Sequence, residues 1–159
     1  MTVKIPFNKP FNVGAEVYQM AQAIIDGYTA GDGPFCKKSE ALLRDILEAK
    51  YKPLLTSSCT SALEIAAIQT GFGKGDQFLV PSYTFVSSAN AFCLRGMEPT
   101  FVDIDENTLN MDVDHAASLV CEKTKVIVPV HYAGISCDMD KLMNVSKVHS
   151  LITIEDAAQ

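Results

Sequence analysis

Leu151-Ile152-Thr153-Ile154-Glu155-Asp156-Ala157-Ala158-Gln159 is an apolar, β-branched run that ends abruptly in acid and amide side chains. It reads as a buried strand that delivers polar groups to one edge of a sheet. In an open α/β sheet, ligands lie outside the carboxyl ends of the strands, so Asp156 and Gln159 fall where a ligand belongs. A lone strand-end Asp is more often a helix N-cap or half of a structural ion pair. Only its company upstream reverses those odds.

Upstream, short apolar runs alternate with helical segments. Strands are expected at Pro53 to Thr56, Gln77 to Val80, Thr100 to Asp103, Thr124 to Val130 and Leu151 to Glu155. Between them, helical spacing covers Thr60 to Thr70, Val86 to Arg95, Val113 to Cys121 and Asp138 to His149. Short connections of this kind imply an α/β, three-layer, mostly parallel sheet with right-handed crossovers and helices on both faces. Before Pro53, residues 1 to 14 read as an extended arm, Glu16 to about Gly27 as an amphipathic helix, and Ser39 to about Lys50 as another. Gly27, Gly31, Gly33 and Pro34 mark the loop between those two. Residues 1 to 52 thus form an arm with helices, and 53 to 159 the sheet-bearing part.

Composition narrows the function classes. Hydrophobic content of 48% with 20% charged residues is ordinary for a soluble globular chain of 159 residues, and no apolar run reaches the length of a membrane span. The amino terminus lacks the apolar core of a secretory signal, so the cytoplasm is the default compartment. Five cysteines, Cys36, Cys59, Cys93, Cys121 and Cys137, form no CxxC pair and have no His at metal-binding spacing, which argues for reduced thiols and no metal. A net charge of -6 disfavours nucleic acid and anionic membranes as partners. It does not exclude a phosphate, because backbone amides at a helix start supply the positive end.

The strand ends carry the chemistry. Thr56-Ser57-Ser58-Cys59-Thr60-Ser61-Ala62 is a run of hydroxyls opening a helix, either an anion cradle or an N-cap with spare serines. Pro81-Ser82-Tyr83-Thr84-Phe85 puts aromatic rings at the same edge, unless they are core. Pro129-Val130-His131-Tyr132-Ala133-Gly134 adds an imidazole, and Asp156 a carboxylate. Together they describe a site for a phosphorylated heteroaromatic cofactor. No GxGxxG or Walker sequence is present, since Gly71-Phe72-Gly73-Lys74-Gly75 closes a helix rather than opening one. A pyridine ring fits better than a dinucleotide, because an acid facing the ring nitrogen keeps it protonated and makes the ring an electron sink.

With the Ile5-Pro6-Phe7-Asn8 start and the Gly31-Asp32-Gly33 loop, these four motifs resemble the DegT/DnrJ/EryC1/StrS sugar aminotransferases. The resemblance implies the large domain of the aspartate aminotransferase fold (PLP fold type I) and pyridoxal 5'-phosphate as cofactor. It implies transfer of an amino group, from glutamate, to the C4 keto group of a nucleotide-linked 4-keto-6-deoxy sugar in cell-surface polysaccharide synthesis, by a homodimer. By position, Thr60 and the Ser61 amide would hold the phosphate, Phe85 would stack on the ring, Asp156 would pair with the pyridine nitrogen, and Gln159 would bond the ring hydroxyl oxygen. His131 and Tyr132 match a motif near the substrate pocket.

Family members carry a Schiff-base lysine some two dozen residues after the strand-end Asp, which here lies beyond Gln159. The lysines present fall outside the motifs and read as solvated surface. The expectation is therefore an amino-terminal fragment, inactive in transamination alone, with the rest of the large domain and the small domain absent. Rival readings are a PLP-dependent nucleotide-sugar dehydratase and a noncatalytic assembly partner.

Overall fold

Two compact units, Met1–Leu55 and Thr56–Gln159, make up the computed structural model, which describes residues 9–48 and 50–159. The first carries α1 (Ala15–Ile25) and α2 (Pro34–Ile46). Gly14 precedes α1 at a φ of 92°, and the Glu16 carboxylate accepts from the amides of Val13 and Gly14 at 2.9 and 2.7 Å, which closes the helix start. Those bonds hold the Glu16 carboxyl below its ordinary pKa. Of the expected arm, residues 1 to 8, with the Ile5-Pro6-Phe7-Asn8 start, lie outside the described residues.

The second expected helix starts at Pro34, not Ser39. Proline read as a loop marker is in fact the helix's first residue, where its missing N–H costs nothing and its fixed φ is already helical. That helix ends at Ile46, short of Lys50. Glu40 on its inner side is buried and paired with Lys52 at 3.0 Å.

The Thr56–Gln159 unit runs α3 (Cys59–Gln69), β1 (Gln77–Pro81), α4 (Val86–Cys93), β2 (Glu98–Val102), α5 (Val113–Leu119), β3 (Thr124–Ile127), a 3-10 turn (Tyr132–Gly134), α6 (Met139–His149) and β4 (Ile152–Thr153). The four strands pair in parallel in the order β2-β1-β3-β4. A single bridge between Val130 and Asp156 extends the last pair. The expected strand at Pro53 to Thr56 is not formed. Leu54 is exposed and the segment has no ladder partner among the described residues, and strand propensity without a paired neighbour makes no strand.

Burial on both faces explains the apolar runs. Phe78 and Val80 of β1, with Val126 of β3, pack with Leu63 and Ala67 of α3 and Ala91 and Phe92 of α4. Leu79 and Ile127, one residue out of phase, pack instead with Val113 and Ala116 of α5 and Leu142 of α6. The period of two thus divides each strand between two cores and yields the three layers. Phe78 and Phe92, both fully buried with ring centroids 5.0 Å apart, anchor the first core. Truncating either to alanine should cost about 3–5 kcal/mol.

Punctuation matches the sequence. Ser58 caps α3 by accepting from the Ser61 amide, and Gly71, at a φ of 73°, ends it. The Gly71 to Gly75 run is a turn, and a Cβ on Gly73 would come within 3.0 Å of the Arg95 carbonyl. Asp112 and Asp138 cap α5 and α6.

The order β2-β1-β3-β4 decides where a ligand can sit. From β1 the chain moves outward to β2, then returns past β1 to place β3 on the other side. The crossovers therefore diverge at the carboxyl ends of β1 and β3, leaving a crevice at that switch point.

Candidate functional site

Three chain segments meet at the switch point. Tyr83 follows β1 and Tyr132 follows β3. Their hydroxyls bond at 2.8 Å with ring centroids 4.8 Å apart, so the aromatic pair spans the crevice. Donation to Tyr83 raises the pKa of Tyr132 above the ordinary phenol range. The Tyr132 backbone is fixed by Asn110, whose side chain accepts from the Tyr132 amide at 2.9 Å and donates to the Ile135 carbonyl at 3.0 Å.

Asp156 is the centre of the arrangement and is 4% exposed. Its backbone joins the end of β3, donating to the Pro129 carbonyl at 2.9 Å and accepting from the His131 amide at 3.0 Å. Its side chain reaches the opposite way, between the first turns of two helices. Ser88 of α4 donates to Oδ2 at 2.6 Å, Cys59 of α3 approaches Oδ1 with its thiol at 3.6 Å, and the Ala158 amide donates to Oδ1 at 3.2 Å. Partial burial and the carboxylate beside it push the Cys59 thiol above its ordinary pKa. With Cys59 and Ser88 both on Asp156, the hydroxyl-rich start of α3, the start of α4 and the strand-end acid share one place.

The other expected site residues lie around that point. Thr60, in the first turn of α3, has a hydroxyl with no hydrogen-bond partner among the described residues. The Ser61 amide is already given to the Ser58 cap at 3.1 Å, while its hydroxyl lies 3.1 Å from that of Ser58. A phosphate at this helix start would meet the Cys59 and Thr60 amides first and compete with the cap for the third. Phe85 is the residue before α4 and is 71% exposed, so its ring is not core. Gln159 gives its amide oxygen to the Ala133 N–H, which leaves the side-chain NH₂ as the group on offer.

His131 is occupied on both ring nitrogens. Nδ1 accepts from the Cys137 amide at 3.2 Å, which makes Nε2 the protonated nitrogen, and Nε2 faces Glu155 Oε2 at 2.9 Å. The imidazole thus ties the strand end to the loop before α6. Sequence reasoning named neither Ser88 nor Asn110. Ser88 sits 68 positions before the acid that it serves, and only its place three residues after Phe85, at a helix start, could have pointed to it.

A profile of the DegT/DnrJ/EryC1/StrS aminotransferase family matches residues 12–159. The spore coat polysaccharide biosynthesis protein SpsC of Bacillus subtilis (strain 168) is 36% identical over 154 residues, covering 97% of this chain and 39% of SpsC. Among solved structures, the aminotransferase from Psychrobacter cryohalolentis superposes with a TM-score of 0.89 at 31% identity, covering 97% of this chain and 39% of that one. The E. coli GDP-4-keto-6-deoxy-D-mannose-3-dehydratase, solved with bound hydrated PLP, gives 0.85 at 25% identity, covering 98% of this chain and 41% of that one. This chain therefore spans about two fifths of the length of each of these relatives.

Proposed function

This chain belongs to the DegT/DnrJ/EryC1/StrS aminotransferase family, and from that premise we propose that Thr56–Gln159 builds the phosphate and ring-nitrogen side of a pyridoxal 5'-phosphate site. The whole protein then transfers an amino group, from glutamate, to the C4 keto carbon of a nucleotide-linked 4-keto-6-deoxy sugar. One observation carries the reading: the buried Asp156 carboxylate takes donors from the first turns of both α3 and α4. The donor set fits the cofactor. A helix start rich in hydroxyls and amides suits a phosphate dianion, and a buried acid suits a protonated ring nitrogen.

Each residue then has one task. The Thr60 hydroxyl and the amides at the start of α3 bind the phosphate, joined by the Ser61 amide where it turns from its cap. Phe85 covers one face of the ring and keeps water from it. Asp156 holds a proton at the ring nitrogen. Gln159 donates its NH₂ to the ring hydroxyl oxygen, its own carbonyl being pinned by Ala133. Tyr132, with Tyr83, borders the sugar, while His131 shapes the loop around that border. When bound, the cofactor supplies a cationic ring that accepts the electron pair released at the substrate carbon.

The amine that holds the cofactor is assigned to sequence outside these 159 residues. Lys74, Lys123 and Lys125 lie at the starts of β1 and β3, and Lys147 lies in the last turn of α6, all at the amino edge of the sheet. Lys141, at the carboxyl edge, is bound to Asp114 at 2.6 Å. A homodimer in the cytoplasm is part of the same reading. Val17, Met20 and Ile24 of α1 are each more than 60% exposed and offer apolar surface for a second copy, and among the described residues no helix is long and apolar enough to cross a membrane.

The test is product analysis with glutamate, cofactor and a nucleotide-linked 4-keto-6-deoxy sugar. A longer protein containing this stretch should release the 4-amino sugar, and the 159-residue chain alone should give no steady turnover. Steady turnover by the chain alone would refute the placement of the amine. The likeness to the E. coli dehydratase favours one alternative, a PLP-dependent nucleotide-sugar dehydratase, and a product that has lost water without gaining nitrogen would select it. A chain that neither binds cofactor nor turns over would leave an assembly role.

A further inference from the structure

We propose that Ser88, backed by Thr84, is a positioning residue that fixes the Asp156 oxygen facing the cofactor's ring nitrogen. The inference deepens the reading above and rests on it. Ser88 is fully buried in the first turn of α4 and donates to Asp156 Oδ2 at 2.6 Å. A hydroxyl has one proton, so the contact of 2.8 Å between Ser88 and Thr84 must run with Thr84 as donor. The hydroxyls therefore form a one-way relay, Thr84 to Ser88 to Asp156, in which each bond polarises the next.

Counting acceptor directions identifies the oxygen. A carboxylate offers about four, two on each oxygen. Oδ1 has both of its directions taken, by the Ala158 amide and the Cys59 thiol. Oδ2 has one, taken by Ser88. The remaining direction lies on Oδ2, the same atom that the relay holds, and is assigned to the ring N–H. The Ser88 amide also donates to the Phe85 carbonyl at 3.1 Å, so the turn that aims the acid is the turn that presents the stacking ring. Removing the Ser88 hydroxyl frees the carboxylate to rotate about its own Cβ–Cγ bond and unaligns it from the ring.

Equilibrium binding of pyridoxal phosphate and of its 1-deaza analogue, which has carbon in place of the ring nitrogen, tests this on the 159-residue chain. Ser88→Ala should weaken pyridoxal phosphate binding about tenfold and leave the analogue unchanged, the loss expected for one bond to a charged group. Ser88→Thr should restore the affinity to within about twofold, and Thr84→Val should fall between the two. Loss of both ligands in equal measure would mark Ser88 as merely structural and overturn the inference, as would no loss of either. If Ser88→Ala fails to fold, Thr84→Val decides alone by the same criterion. Asp156→Asn separates the two levels. If it leaves pyridoxal phosphate binding intact, or the unsubstituted chain binds none, the cofactor reading falls. If Asp156→Asn weakens binding while the Ser88 and Thr84 variants do not, only the positioning role falls.

Discussion

Glu155 and Asp156 are neighbouring carboxylates at one strand end, yet they belong to different parts of the molecule. Asp156 is 4% exposed and sits with Ile154 on the side of α3 and α4, where its partners come from residues 59 and 88. The Glu155 side chain, 51% exposed, meets His131 on the other side. Strand alternation separates them: a shift of one residue moves a carboxylate from hydroxyl and thiol donors on α4 and α3 to the half-buried imidazole of His131. The same chemical group thereby fastens a loop through His131 in one case and, in the function proposed above, faces the cofactor in the other.

The largest way to break this contrast is exchange of charge for amide at each position. Asp156→Asn should lower pyridoxal phosphate affinity about 10- to 100-fold by equilibrium dialysis, while Glu155→Gln should stay within about twofold. Equal losses would erase the distinction. His131→Ala sharpens it from the other side. It removes the acceptor of the Cys137 amide and the Glu155 partner, and should lower the unfolding free energy in urea by about 1–2 kcal/mol with cofactor affinity unchanged.

The smallest effect is read in thiol chemistry. Cys59 has its pKa raised by burial and by Asp156, whereas hydrogen bonds from Thr124 and the Lys123 backbone lower that of exposed Cys121. The thiolate is the reactive form, so near pH 8 iodoacetamide should label Cys121 several-fold faster than Cys59, as mapped by mass spectrometry. The sign follows from charge. A carboxylate disfavours a nearby thiolate, so Asp156→Asn should speed Cys59 labelling and narrow the gap, and should do nothing to Cys121.

Legibility in the sequence followed the range of the interactions. β1 and β3 were readable because burial on both faces demands unbroken apolar runs, and α3, α5 and α6 because Ser58, Asp112 and Asp138 cap them locally. The strand expected at Pro53 to Thr56 failed because pairing is not a property of the segment. Pro34 reads as a loop residue yet begins α2, because a proline after Gly33 looks the same in sequence whether it ends a turn or begins a helix. At the site, Asp156 announced itself by ending an apolar run in a charge. Ser88 did not, since a serine near a helix start is ordinary, and its importance lies wholly in the acid folded against it.

What the chain's order of residues determined alone is the alternation of strands and helices, the placement of polar groups at strand ends, and the family to which it belongs. Those are encoded in local periodicity and in short motifs. Tertiary structure alone decided that β3 returns to the far side of β1, opening the crevice that Tyr83 and Tyr132 span, and that Asp156 lies against Ser88 and Cys59 while Glu155 takes His131. The reason is physical: strand order and the pairing of distant side chains depend on how two cores fill on opposite faces of one sheet, and no window of neighbouring residues contains that information.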